Sequence, residues 1–172
     1  MVLTQGEVVE RLNHEVRILL HLLSKVRPGD LDYRPTPRQR SLQELLEYLT
    51  IFPGIHLRTV AAGVWDRAAW GEAWHTEQAA AKGRSLEDIR DALAHQPAMF
   101  ANLIHPLTED DLRSVMEMFG RISSRGELLV WMLLCHYAAY RMQLFLYLKA
   151  CGREELGTMD VWAGVDAIPQ NA

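Results

Sequence analysis

Four segments of the chain open on a Ser or Thr followed three residues later by Glu or Asp, just ahead of apolar residues at helical spacing. They are Thr4-x-x-Glu7, Ser41-x-x-Glu44, Ser85-x-x-Asp88 and Ser124-x-x-Glu127. In such a box each side chain takes up a backbone N–H that has no partner in the first turn, so the box marks where a helix starts. After the first box, Val8, Val9, Leu12, Val16, Leu19, Leu20, Leu23 and Val26 recur on one face until Pro28-Gly29, which predicts a helix over about 4–26. Leu42, Leu45, Leu46, Leu49, Phe52, Leu57 and Val60 predict a second over 41–62, with a kink expected at Pro53. Leu86, Ile89, Leu93, Phe100 and Leu103 predict a third over 85–103, with Pro97 as a second kink point. The last and strongest runs over 124–150, with Lys149 complementing its C-terminal dipole and Gly152 suited to the left-handed position beyond it. Four amphipathic helices without a convincing strand pattern predict an all-α, four-helix bundle.

The segments between them are less regular. Asp30 to Arg40 reads as a connector with two prolines and several arginines. From Gly63 to Arg84 the apolar period weakens, and Trp65, Trp70 and Trp74 stand among Ala, Gly and charges. A connector this long permits a crossover between parallel helices. In Leu107 to Arg121, Thr108 to Asp111 suits the cap of a short helical turn, and Val115 to Phe119 suits an extended strand equally. The tail over 153–172 is polar apart from Val161-Trp162, which are expected to pack back on the bundle.

With 172 residues the chain reads as one domain over 1–172, large enough to need no disulfide or metal staple. A net charge of −4 and a pI near 6.0 exclude the general basic footprint of a nucleic-acid binder. The N-terminus has no basic region followed by an apolar one, so no signal peptide is expected. The most apolar stretch, Leu128 to Tyr140, contains His136 and is shorter than the roughly 20 residues of a membrane span, so no membrane association is expected. Cys135 reads as a small core residue, Cys151 as partly exposed, and two unpatterned cysteines suggest a reducing cytoplasm.

Seven histidines raise the question of metal or proton chemistry. His14 and His21 read as packing or surface residues, and His75, His95 and His105 as solvated or capping ones. His56 continues the stripe of Leu45, Leu49 and Phe52 and reads as a satisfied buried imidazole. His136 lies mid-helix in the most apolar run and shares a face with Tyr140 at i+4 and Gln143 at i+7. A buried imidazole must pair its nitrogens, so His136 is expected to be hydrogen-bonded, metal-bound or cavity-lining. No Gly-rich phosphate loop, HExxH or GxSxG occurs, and Glu47 and Glu127 read as surface and capping residues.

The run from Arg125-Gly126-Glu127 through His136-Tyr137-Ala138-Ala139-Tyr140-Arg141-Met142-Gln143 to Tyr147-Leu148 resembles the last bundle helix of the DinB/YfiT-like superfamily. Tyr33-Arg34-Pro35 followed by Ser41-Leu42-x-Glu44-Leu45-Leu46-Glu47-Tyr48-Leu49 resembles its second helix. The resemblance covers about residues 5–165 and includes the Trp-bearing connector and the Leu-Thr-Glu-Asp-Asp-Leu approach to the last helix. It implies an up-down-down-up four-helix bundle with a long connector between the second and third helices, often a homodimer. It also implies relatives that are thiol-dependent transferases and isomerases, such as mycothiol-dependent maleylpyruvate isomerase, or metal-dependent hydrolases. The family name, taken from damage-inducible expression, implies no DNA binding.

The family's last helix carries H-x-x-x-H-R-x-Q and its second helix E-L-L-x-H-L, which supply three metal-ligating histidines. Here the matching positions are His136, Tyr140 and Tyr48, so His136 is the one ligand retained. A phenol must ionise to coordinate well, so two tyrosines and one imidazole suit Zn²⁺ or Ni²⁺ badly. His56 stands eight residues beyond Tyr48, about 12 Å along a helix, which is too far to stand in for it. The expectation is therefore a degenerate site with no metal and no cofactor. Its candidate pocket is Tyr48, His136, Tyr140 and Gln143, in a small-ligand-binding or scaffold protein. The alternatives are a thiol-dependent transferase or metal-dependent hydrolase working with an altered site around His136, or a cluster that is only core packing.

Overall fold

The structure is a computed structural model describing residues 3–166. The chain runs through α1 (Gln5–Leu23), a 3-10 turn (Pro28–Asp30), α2 (Leu42–Ala62), α3 (Arg67–Ala81), α4 (Leu86–Ile104) and α5 (Glu109–Arg113). A hairpin of β1 (Val115–Met118) and β2 (Arg121–Ser124) follows. Then come α6 (Arg125–Leu129), a π-helical turn (Val130–Leu134), α7 (Cys135–Ala150) and α8 (Thr158–Trp162). Among the described residues no helix is long and apolar enough to cross a membrane.

The predicted helix starts carry their caps. Thr4 with Glu7, Ser41 with Glu44 and Ser85 with Asp88 form reciprocal boxes. At the fourth, Ser124 accepts from the Glu127 amide, but the Glu127 carboxylate turns away to pair with Arg121. The long helices bury their apolar stripes together: α1 packs on α4 and α7, and α2 packs on α4 and α7. Leu12, Leu19, Leu45, Leu49, Leu93 and Leu148 are fully buried there, each contributing roughly 1.5–3 kcal/mol of apolar burial.

Pro53 does not end α2, which continues unbroken to Ala62. Proline has no N–H for the carbonyl four residues back, that of Leu49. Gln96 of α4 supplies the missing donor, its Nε2 lying 2.9 Å from the Leu49 oxygen. The Gln96 Oε1 in turn accepts from the buried Tyr137 hydroxyl of α7 at 2.6 Å. One amide thus ties three helices at the proline. α2 stops at Gly63, whose φ of 70° is left-handed. The buried Arg125 guanidinium covers that end, donating to the carbonyls of Val60 and Ala61 and pairing with Asp111.

Two segments differ from the sequence expectation. The stretch from Gly63 to Arg84 holds a helix, α3, capped by the Asp66 carboxylate on the amides of Ala68 and Ala69. Its alanines carry high helix propensity without making an apolar stripe, which is why the apolar period missed it. The second is the hairpin, in which Val115–Met118 takes the extended one of the two conformations its sequence suits and pairs with Arg121–Ser124, adding strand to the all-α expectation. Its turn residues Phe119 and Gly120 have φ of 55° and 75°, as a two-residue turn between right-twisted strands requires.

The last long helix also departs from a single regular repeat. The π turn at Val130–Leu134 adds a residue to one turn and re-aims the side chains on either side of it. Cys135, expected in the core, is therefore exposed, and Trp131 and Val130 reach the surface. The segment around α8 lies on α1, through the His14 ring to the Trp162 carbonyl at 2.9 Å and His21 Nε2 to Asp160 at 2.8 Å. Val161 is buried, whereas the Trp162 ring is 60% exposed beneath the Arg141 guanidinium. Residues 167–172, part of the predicted tail, lie outside the described residues.

Candidate ligand-binding site

The helical positions of Tyr48, Phe52 and His56 fall one turn apart on α2 and present three rings in a row. Tyr48 stacks on Phe52, their centroids 5.3 Å apart. From α7, Tyr140 lies 4.8 Å from Tyr48, and His136 lies 5.8 Å from Phe52 and 5.7 Å from His56. The two helices therefore bring Tyr48, His136 and Tyr140 together. They also bring His56 beside His136, two turns from Tyr48. Sequence spacing placed His56 far from Tyr48 along α2, which is so, but His136 faces the Phe52–His56 end of the row.

Gln143 does not join the rings. Its amide donates to the Tyr147 hydroxyl at 2.6 Å, and that hydroxyl donates to the Arg40 carbonyl at 3.0 Å. The pair fixes the backbone of Arg40 at the end of the connector before α2. The Arg40 guanidinium then lies over the Tyr48 ring, 4.1 Å from its centroid.

Trp70 and Trp74, four residues apart on α3, close the other side. They stack on each other at 5.3 Å and 19°, and Trp70 stacks on His56 at 5.9 Å. Phe119 at the hairpin turn packs on Trp65 at 4.9 Å and Trp70 at 5.3 Å. Its left-handed backbone is costly for a bulky side chain, so the turn holds strain at the rim of the cavity. Trp70, Trp74 and Phe119, with Trp131 and Met132 of the π turn and with Tyr48, His56 and His136, line a cavity of about 400 Å³. A broader depression over Arg67 to Thr76 lies on the flank of α3, lined by Arg67, Glu72, His75 and Thr76 beside Ala68 and Gly71.

The electrostatics are set by burial. His56 is 4% exposed, and its Nδ1 has no hydrogen-bond partner, so the expectation of a satisfied imidazole is corrected. Burial, with the nearby His136 adding to it, lowers its pKa to about 3, and the ring stays neutral. His136 is half-buried rather than enclosed in the apolar run, because the π turn opens that side of the helix. Its Nδ1 lies 3.1 Å from the Trp131 carbonyl. A carbonyl only accepts, so Nδ1 carries the proton, and in the neutral ring the lone pair is on Nε2. Burial and then the adjoining Tyr140 hydroxyl hold the Tyr48 phenol well above its ordinary value.

That last shift bears on the metal. A phenol held this far from ionisation is a poor ligand, and the neighbouring Arg40 faces its ring rather than its oxygen. Among the described residues, the group of three His or carboxylate ligands close enough to share an ion is His21, Asp160 and Asp166, where the tail meets α1. Lys25 already pairs with Asp166 there. The donor set at Tyr48, His136 and Tyr140 thus does not fit Zn²⁺ or Ni²⁺.

Sequence reasoning missed Arg40, Trp70, Trp74, Trp131 and Phe119. The i, i+4 spacing of Trp70 and Trp74 was a readable signal, since it sets both rings on one face of a helix. The π turn that exposes Trp131 left none.

No protein-family model matches the chain, and no curated relative does. Among solved structures, it is similar to a DinB-like protein, YjoA, from Bacillus subtilis, at 17% identity and a TM-score of 0.67 over 88% of this chain and 95% of that one. The chain therefore has the DinB-like fold.

Proposed function

We propose that this chain is a small-ligand-binding protein that works without a metal, its ligand held in the cavity between α2, α3, the hairpin and the π turn. The observation that carries the reading is the His56–His136 pair. One imidazole is buried with an unpartnered nitrogen, and both border a cavity walled by indoles. A polar group left unpaired in an apolar site costs roughly 1–3 kcal/mol, and a ligand that pairs with it recovers that cost. Concave, mostly aromatic walls with a few convergent polar groups are the usual make-up of a small-molecule site.

The test is elemental analysis of the untagged protein together with a thermal-shift screen of small aromatic ligands. Metal below a tenth of an equivalent and hits lost in His56→Phe support the reading. Stoichiometric Zn or Ni lost in His136→Ala overturns it.

A second reading has its own observation. The Trp131 carbonyl fixes the His136 tautomer and leaves Nε2 as a base, which suits an acid–base role in thiol transfer or hydrolysis. Turnover of thiol cofactors with electrophiles above the rate of His136→Ala would favour it.

We also infer that the long helices run up-down-down-up with the segment 63–84 as the crossover, which the packing of α1 and α2 on both α4 and α7 supports. The proposed cytoplasmic location rests on the free thiols of Cys135 and Cys151. Two copies are proposed to pair. Light scattering checks this, with twice the 19.6 kDa chain mass supporting it and the chain mass overturning it.

A further inference from the structure

The cavity's charge is one-sided. Of the residues that line it, Arg40 is the one Lys or Arg, His56 is neutral, and no carboxylate takes part. Aromatic walls without such a cation favour a positively charged guest, because the ring faces are negative. Here the guanidinium already occupies the face of Tyr48 at 4.1 Å and reaches Tyr140 at 5.9 Å.

On its other side Arg40 shares a neighbouring pocket with Glu44 and Glu47. Among the described residues its guanidinium makes no ion pair, whereas its neighbour Arg34 pairs with Glu44 at 3.1 Å. The nearby acids are engaged elsewhere. Glu44 takes Arg34 and the Ser41 amide, and Glu47 accepts from Gln43 and the Gly83 amide. The backbone of Arg40 is held by the Gln143–Tyr147 chain, so the main chain that carries the cation is fixed in advance of any ligand.

We propose that the site selects planar aromatic anions, with the rings against Trp70, Trp74 and Trp131, a carboxylate or equivalent oxyanion on Arg40, and the inner edge of the ligand toward His56 and His136. The proposal rests on the small-ligand reading above and adds the sign of the ligand's charge. A guanidinium offers an oxyanion two parallel N–H donors, which an ammonium or alcohol ligand cannot use in that way.

The test uses three ligands with one ring system: 2-naphthoate, naphthalene-2-methanol and 2-naphthylmethylammonium. Binding to the full chain is measured by calorimetry and tryptophan quenching. The carboxylate is expected to bind about tenfold more tightly than the other two, a difference of about 1.4 kcal/mol. Arg40→Gln is expected to remove that advantage and leave the alcohol unchanged, with the melting temperature retained because Arg40 is exposed. An ammonium or alcohol that binds as tightly as the carboxylate overturns the anion assignment while the cavity reading stands. So does an Arg40→Gln variant that weakens all three alike. Failure of all three ligands to bind overturns both.

Discussion

His56 links the cavity to acid stability. In the unfolded chain its imidazole takes up a proton near its ordinary value of 6.5, and in the folded chain only near 3. Between those values the unfolded state binds more protons. The stability from keeping the ring neutral is full above the first value and is lost as pH falls toward the second. From pH 7 to pH 4.5 the loss is expected to be about 2–3 kcal/mol, at 1.36 kcal/mol per pH unit. Denaturant unfolding of His56→Phe over that range is expected to fall by about that much less than the parent. Parallel curves would show that His56 titrates in the fold as it does in water. At this scale the sequence was partly legible. It placed Tyr48, His136 and Tyr140 at matching helical positions, and the Tyr140 ring lies 4.8 Å from Tyr48 and 6.0 Å from His136. It could not place His56 against His136, because that contact depends on how α2 and α7 cross. Nor could it foresee that Gln143 serves Arg40, a residue far away in the chain.

Among elements, the joint at Pro53 is the most exacting. Gln96 stands where α2 lacks a backbone donor, and its other end receives Tyr137. Gln96→Leu leaves a buried carbonyl and a buried hydroxyl without partners, at about 1–3 kcal/mol each. Calorimetry is expected to show a melting temperature lower by about 4–24 °C, at about 2–4 °C per kcal/mol for a chain of this size. Adding Tyr137→Phe removes one of the two orphans and is expected to recover about 1 kcal/mol. Strictly additive losses would mean that the two side chains do not act as one network. Helix starts were legible because a capping box is a local interaction between residues three apart. α3 was not, since alanine-rich helices show propensity without periodicity. The π turn was not either, because an inserted residue leaves no mark on an apolar run that is already continuous.

Across the whole molecule, the tail is fastened to the first helix by few groups. Asp160, 2% exposed, accepts from His21 and from the Gly157 amide, and so holds α8 against α1. Asp160→Ala is expected to raise amide exchange at Val161 and Ala163 by about tenfold or more, since a charge-assisted bond contributes roughly 1.5–3 kcal/mol. Exchange within α1 is expected to stay as it was. Unchanged exchange in α8 would show that the apolar contact of Val161 alone holds the tail. The docking of this segment was legible from Val161-Trp162, but its polar clamp was not, because His21 and Asp160 are joined only once the chain has folded back on itself.

The paired indoles of α3 have a consequence that is optical rather than chemical. Trp70 and Trp74, nearly parallel and 5.3 Å apart, are close enough for their excited states to mix. Such a pair gives a split circular-dichroism band whose sign follows the handedness of the stack. Because one of these rings also rests on His56, a ligand that turns Trp70 relative to Trp74 changes that band without a label being attached.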